Sequence, residues 1–378
     1  MLKIKRSTLF LSKKELNSLF FIQLLISPIL ANYFFCLNLP LNIGDFLIIL
    51  LTIFFFLPRL TDDNLKLKKL ITFISALFFL VAFTNTIDLS HLKFFFYSTV
   101  LLILINLKKD DDLSIQFFSL YSKFGLFLSF FLFFQYANNF LFDHRLILNL
   151  PFPRAEQDSL IYLQDQFRPG SLFREPSYFV LFVTPLLFFY AMTKQHFLYL
   201  ITLFAAIIST SSLIFPIILF ERLFNYTNLD PKSASIKYFI YFFILATFFY
   251  LFRNSLVVNK AISAFDQLGA FNSRFLPGIK LVMSNLNFFS GSALEIPSPF
   301  ESQWINSLAL SIIYFGVFFL IIITVALFNF NFFIACLLIF FLSCTSYFNT
   351  PFATLIFFAF SQFSCLKKRF FNSSFFHN

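Results

Sequence analysis

The chain has 378 residues, of which 59% are hydrophobic and 12% charged. A water-soluble domain carries roughly 25% charged residues, so this chain cannot coat a globular surface of its size, and water is not the main solvent of the fold. The formal charge of +10 does not point to nucleic acid either: the cations are scattered between apolar stretches, which suits a lipid bilayer and anionic lipid substrates.

The N-terminal stretch Met1–Glu15 is basic, has no small-x-small cleavage site after it, and reads as a cytoplasmic tail before a first membrane helix. A crossing needs about 17–25 mostly apolar residues. The predicted spans are 17–37, 43–58, 70–87, 94–107, 115–138, 176–193, 238–252, 306–327, 332–348 and 352–365. With the stretch 197–221 they predict an all-α polytopic membrane protein of about 11–12 membrane helices, the chain forming one membrane domain. The 69 phenylalanines gather in runs such as Phe54-Phe55-Phe56 and read as lipid-facing filler rather than a functional lining. No internal repeat is visible.

Lys and Arg fix the orientation, because cytoplasmic loops retain them. With the N-terminus inside, Lys13, Lys14, Arg59, Lys66, Lys68, Lys69, Lys108, Lys109 and the tail Lys367-Lys368-Arg369 all lie on the inner side. Both termini are then cytoplasmic, and two large outer loops follow, at 139–175 and 253–305. The stretch 197–221 must start and finish inside, otherwise Arg222 and the basic tail would be stranded outside. It is therefore expected to be two arms meeting at Ser209-Thr210-Ser211-Ser212, as thin crossings or as a re-entrant hairpin. Those hydroxyls are a candidate cavity floor or ordinary helix packing. The spans read as almost free of charge, with Lys123 the main exception.

The four cysteines show no C-x-x-C spacing and no nearby His pair, so neither a disulfide framework nor a zinc site is expected. No cofactor and no metal is expected. The sharpest feature is Arg168-Pro-Gly-Ser-Leu-Phe-Arg-Glu-Pro-Ser177, which runs directly into a membrane helix. Pro176 suits the first turn of that helix, and Glu175 sits where a negative charge meets the positive end of the helix dipole. Arg168 and Arg174, with Gly170 allowing close backbone approach, also suit an anionic headgroup, because Arg grips phosphate bidentately. The second outer loop adds Arg274, Lys280 and the turn Ser290-Gly291-Ser292.

This segment resembles the R-x-x-G-x-[FL]-x-E-P-S signature of Wzy-type O-antigen and capsule repeat-unit polymerases. Arg168, Phe173 and Glu175-Pro176-Ser177 fall in register; Gly170 comes one place early and Ser171 takes the usual Gly position. Thr210–Ser212 looks like the family's T-x-S break, and Arg274 through Gly291 looks like its later loop, with Asn306 leading the next span. The resemblance implies a GT-C-like membrane glycosyltransferase of the bacterial inner membrane. It would transfer a glycan from undecaprenyl diphosphate to a hydroxyl of another lipid-linked unit, in O-antigen, lipopolysaccharide or capsule biosynthesis. It implies Arg168 and Arg274 as diphosphate clamps and Glu175 as base or acceptor orienter. Arg174, Gly170, Ser177, Lys280 and Gly291 would help bind substrate, and a chain-length regulator protein is a possible partner.

Two other readings stay open. An O-antigen ligase shares the layout and the donor but typically has a functional His in the second loop, and none of His91, His144, His196 and His377 lies there. A transporter or flippase would place charge at mid-membrane.

Overall fold

The computed structural model describes residues 12–35, 41–60, 89–108, 110–142, 170–173, 175–209, 213–226, 306–330, 332–345 and 350–373, with positions 71, 72, 74, 146, 152, 211, 347 and 348. These residues are all-helical: ten α-helices and, in place of a sheet, two isolated bridges, Phe34 to Asn42 and Leu60 to Leu107. In chain order the helices are α1 (Lys13–Ile26), α2 (Ile43–Leu51), α3 (Leu89–Ile105), α4 (Asp111–Phe142) and α5 (Pro176–Met192). They continue as α6 (His196–Ile208), α7 (Ile214–Tyr226), α8 (Ser307–Leu327), α9 (Phe332–Cys344) and α10 (Pro351–Ser373). Each coincides with an apolar stretch anticipated from the sequence; the span 238–252, and the span 70–87 apart from positions 71, 72 and 74, lie outside the described residues. Two helices, α4 with 32 residues and α8 with 21, are each long and apolar enough to cross a membrane.

Short-range chemistry sets where the helices begin. Ser12 accepts from Glu15 N while the Glu15 carboxylate accepts from Ser12 N, a capping box that opens α1. The hydrogen bonds from Ser12, its backbone N–H first, hold the Glu15 carboxyl below the usual carboxylate range. Asn42 and Asp45 repeat the device at α2, and the Asn306 side chain accepts from Ala309 N to open α8. Helix α2 does not stop at Leu51 but widens through a π turn at Thr52–Phe56 and tightens into a 3₁₀ turn at Leu57–Arg59. Pro185 inside α5 has no N–H to offer Leu181 O; one residue on, Phe182 O accepts from the Tyr121 hydroxyl of α4.

Helix α10 runs through the middle and packs against α1, α2, α3, α4 and α5. Every side chain from Pro351 to Phe360 is buried. Phe358 is a hub, its ring 4.8 Å from Phe117, 5.7 Å from Phe56 and 6.1 Å from Phe21. The phenylalanines are therefore not merely filler. One population, including Phe54, Phe127, Phe130 and Phe134, is exposed on the periphery, but another forms an interlocked aromatic core. Edge-on and tilted ring pairs of this kind contribute about 0.5–1.5 kcal/mol each beyond their area.

The contacts define two ends. At one, Arg59 donates to Asn17 Oδ1 at 2.8 Å, Lys108 N donates to Arg59 O at 2.9 Å and Ser114 Oγ donates to Gln362 Oε1 at 2.8 Å. This basic end gathers the start of α1, the ends of α2, α3 and α10, and the start of α4. The opposite end, the loop end, carries the first residues of α2, α3, α5, α8 and α10. Gly44 shows how closely it is built: a Cβ there would meet Ser27 O at 2.2 Å and Pro351 Cγ at 2.9 Å.

The arms expected in 197–221 are α6 and α7, and the start of the first lies beside the far half of the second. Tyr199, in the first turn of α6, donates its hydroxyl to Glu221 Oε2 in α7 at 3.1 Å. At 13 residues each, about 20 Å, the arms are short.

Candidate functional site

The segment from Gly170 to Ser177 lies at the loop end and is braced from beneath by α4. Phe173 N donates to Gly170 O at 3.1 Å, closing a turn. The chain passes so near Gly170 that a Cβ would meet Phe173 O at 2.9 Å and Glu175 C at 3.2 Å, which is why this position has no side chain. Ser171 has φ 59°, the left-handed conformation that glycine adopts most readily. Its hydroxyl donates to Leu128 O at 2.8 Å, and its carbonyl accepts from Gln135 Nε2 at 2.9 Å. These two bonds hold a serine in a backbone state that costs it of order 1 kcal/mol. The left-handed residue is thus the one that falls in the register position where the resembled signature has glycine.

Phe173 turns inward, with its ring 5.2 Å from Phe182 and 5.4 Å from Phe352. Tyr178 stacks on Phe352 at 4.8 Å. The start of α5 is therefore fixed to the start of α10. Glu175 is the N-cap residue of α5 with extended backbone, followed by Pro176 at the first helical position, as the sequence suggested. Its side chain, however, caps no backbone N–H; Oε2 accepts from the Ser177 hydroxyl at 3.1 Å. The carboxylate is therefore half-buried at the loop end, oriented by Ser177, and not consumed in holding the helix start. Of the other anticipated site residues, Arg168, Arg174, Arg274, Lys280 and Gly291 lie outside the described residues, as does the loop 253–305. The helix α4 runs to Phe142, so it takes the first residues anticipated for the loop at 139–175.

The two described hydroxyl residues where the arms meet are both buried. Ser209 is buried and its hydroxyl donates to Ala206 O at 2.7 Å, within its own helix; Ser211 is buried too, while Thr210 and Ser212 are outside the described residues.

Sequence reasoning missed the charged cluster of the loop end. Asp45, buried in the first turn of α2, accepts from Asn42 N at 3.0 Å and from the Tyr97 hydroxyl at 2.6 Å, and its Oδ2 lies 2.6 Å from Lys93 Nζ. Glu221 is a second buried carboxylate, 3.3 Å from Arg222 Nε. The spans are therefore not as free of charge as they read. The signal for Asp45 was present as the Asn-x-x-Asp capping box ahead of an apolar run; its partners, in another helix, left no local trace. Among the described residues no group of three or more His, Cys, Asp or Glu is placed to hold a metal ion.

No protein-family model, no curated protein and no solved structure matches this chain. What fold and site define is an all-helical protein with two helices apolar enough for a bilayer and a tightly turned, carboxylate-bearing segment at the loop end.

Proposed function

We propose that the protein is a polytopic membrane glycosyltransferase that polymerises lipid-linked glycan repeat units at the outer face of a bacterial inner membrane. The observation that carries this reading is the Gly170–Ser177 turn. It follows the register of the repeat-unit polymerase signature, with left-handed backbone at the signature's glycine position, and leaves the Glu175 carboxylate available beside Ser177. In this reading the basic end faces the cytoplasm, consistent with Lys14, Arg59, Lys108, Lys194 and Arg222 at helix ends there. The shorter helices cross with their ends shielded by neighbours, and the α6–α7 arms enter from the cytoplasmic side and return.

The chemistry needs no nucleotide, because the donor already carries a diphosphate leaving group. The acceptor sugar hydroxyl attacks the anomeric carbon of the donor glycan. A new C–O bond forms, the bond to the diphosphate oxygen breaks, and the hydroxyl proton passes to a base. Glu175 is that base or the group that orients the acceptor; Ser177, hydrogen-bonded to it, sets the carboxylate's direction. Arg168 and Arg274 take up the charge that develops on the leaving diphosphate, with Arg174 and Lys280 as further cations and Gly170 and Gly291 giving close approach. The donor lipid, undecaprenyl diphosphate-linked glycan, would reach this end from the outer leaflet.

The test is incubation of the detergent-purified protein with its own lipid-linked repeat unit, resolving the glycan on a gel. A ladder that collapses in Arg168→Ala and Arg274→Ala, and weakens by about 10²–10⁴ in rate in Glu175→Gln, is the expected result. A ladder untouched by all three substitutions removes this site. Transfer seen only with lipid A core added identifies a ligase, and neither product moves a lipid-sugar transporter to the front.

A further inference from the structure

Glu175 lies between two aromatic residues that pack on one and the same ring. Phe173, two positions before it, is buried with its ring 5.4 Å from that of Phe352. Tyr178, three positions after it, stacks on Phe352 at 4.8 Å with the two planes 19° apart, and its N–H donates to Glu175 O at 3.1 Å. Among the described residues the Glu175 side chain has one hydrogen-bond partner, the Ser177 hydroxyl, which belongs to the same short segment. The direction of the carboxylate is therefore set by where the segment from Phe173 to Tyr178 lies.

The ring that holds this segment is itself held. Phe352 is 2% exposed in the first turn of α10. Pro351, just before it, sits so close to the start of α2 that a Cβ on Gly44 would meet its Cγ at 2.9 Å. Just after it, Ala353 N donates to Thr350 O at 3.0 Å and closes the turn. Aromatic pairs prefer particular mutual orientations, so a fixed ring with two aromatic partners sets the angle of the segment as well as its distance.

We infer that Phe352 is the positioning residue of the Glu175 carboxylate, acting through Phe173 and Tyr178. Its catalytic consequence rests on the proposed glycan transfer; its structural consequence rests on the ring contacts alone. A base must stand within hydrogen-bond reach of the proton it takes, and a displacement of about 1 Å can cost about 10²-fold in rate. The ring at the start of α10 supplies that alignment from outside the segment that bears the carboxylate.

The experiment has two readouts on the full-length protein in detergent. The first needs no activity. Leu172→Cys, half-buried in the turn, is alkylated by a maleimide in a background with Cys36, Cys336, Cys344 and Cys365 replaced by alanine. Phe352→Leu, which keeps apolar bulk but loses the ring, is expected to speed alkylation by about tenfold, the worth of two aromatic pairs. Phe358→Leu, in the same helix with its ring on Phe117 and Phe56, is expected to leave the rate near that of wild type. No acceleration in Phe352→Leu, or equal acceleration in Phe358→Leu, overturns the inference. The second readout is glycan transfer. Phe352→Leu is expected to lower kcat by about 10–10²-fold with KM little changed, and to cost little more in a Glu175→Gln background, where no carboxylate is left to aim. Losses that simply add overturn the positioning role. A wild type that makes no glycan ladder removes the proposed function, and the alkylation rates then decide the inference alone. Should Phe352→Leu fail to run as a single species on size exclusion, Tyr178→Leu, which removes one of the two ring contacts, is read in the same way.

Discussion

Tyr199 and Glu221 join the first turn of α6 to the far half of α7 through a 3.1 Å hydrogen bond. The two arms between them therefore leave from and return to the same end of the molecule. Arg222 adds to this junction, its guanidinium 5.5 Å from the centre of the Tyr199 ring. This geometry agrees with the charge argument, which requires the chain to be on one side both before and after 197–221. Cysteines introduced at the exposed positions Lys194 and Leu223 are accordingly expected to react with a membrane-impermeant maleimide from the same side. Labelling from opposite sides in intact cells and inverted vesicles would refute the hairpin.

The same junction makes a stability prediction. Tyr199→Phe removes the hydroxyl and leaves a buried carboxylate short of a donor, which costs about 1–3 kcal/mol. Thermal unfolding in detergent is expected to shift down, whereas Phe204→Leu, on the exposed face of α6, is expected to leave the midpoint nearly unchanged.

Glycines with similar crowding are expected to differ in tolerance. At Gly44 an added Cβ meets the backbone oxygen of Ser27 at 2.2 Å, whereas at Gly125 it meets the tip of Leu186, also at 2.2 Å. Backbone cannot rotate away and a leucine δ-methyl can. Gly44→Ala is thus expected to cost about 1–3 kcal/mol or more, as overpacking does, and Gly125→Ala distinctly less. Parallel melting curves of the two variants measure the difference, and equal losses would contradict this account of the contact between α2 and the end of α1.

Much of this architecture was legible from composition alone. Apolar runs located the helices, the charge balance called for the α6–α7 hairpin, and Glu175-Pro176 marked the start of α5. Other features had no local sequence signal. A helix apolar on every side has no polar face to show which side is buried, so Phe358 at the core and Phe130 at the periphery read alike. Asp45 with Tyr97, 52 residues apart, is a contact set by how α2 and α3 pack, and no spacing rule reaches across them. Gln135, inside the span 115–138, carries no local signal that it braces the turn at Ser171.

Ser171 separates two contributions to that turn. Ser171→Ala keeps the left-handed backbone penalty and loses the bond to Leu128 O, so it is expected to destabilise by about 1–3 kcal/mol. Ser171→Gly loses the same bond but removes the penalty, which recovers about 1 kcal/mol. The glycine variant is therefore expected to melt above the alanine variant. The reverse order would mean that the hydroxyl, and not the backbone conformation, decides the residue at 171.

Gly316 interrupts α8 with φ 79° and ψ 178°, a backbone state open essentially to glycine alone. The half of α8 before the break is tied to the linker leading into α10: Ser307 N donates to Thr345 O at 2.8 Å, and the Ser307 hydroxyl accepts from Phe348 N at 3.1 Å. The half after it packs Phe319 against Phe94 at 5.9 Å. Tyr314 and Phe315, just before the break, meet the same Phe94 ring at 6.1 Å each. Gly316→Ala must then either hold a strained residue, at about 1–3 kcal/mol, or straighten α8 and pull Ser307 from Thr345. In both cases the melting temperature falls. If α8 straightens, the α10 start and the Phe352–Tyr178 stack shift with it, so under the proposed function glycan transfer is expected to fall further than the loss of folded protein accounts for. Measuring specific activity per folded molecule in Gly316→Ala separates the two. A loss beyond that of folded protein favours straightening, and unchanged specific activity favours local strain.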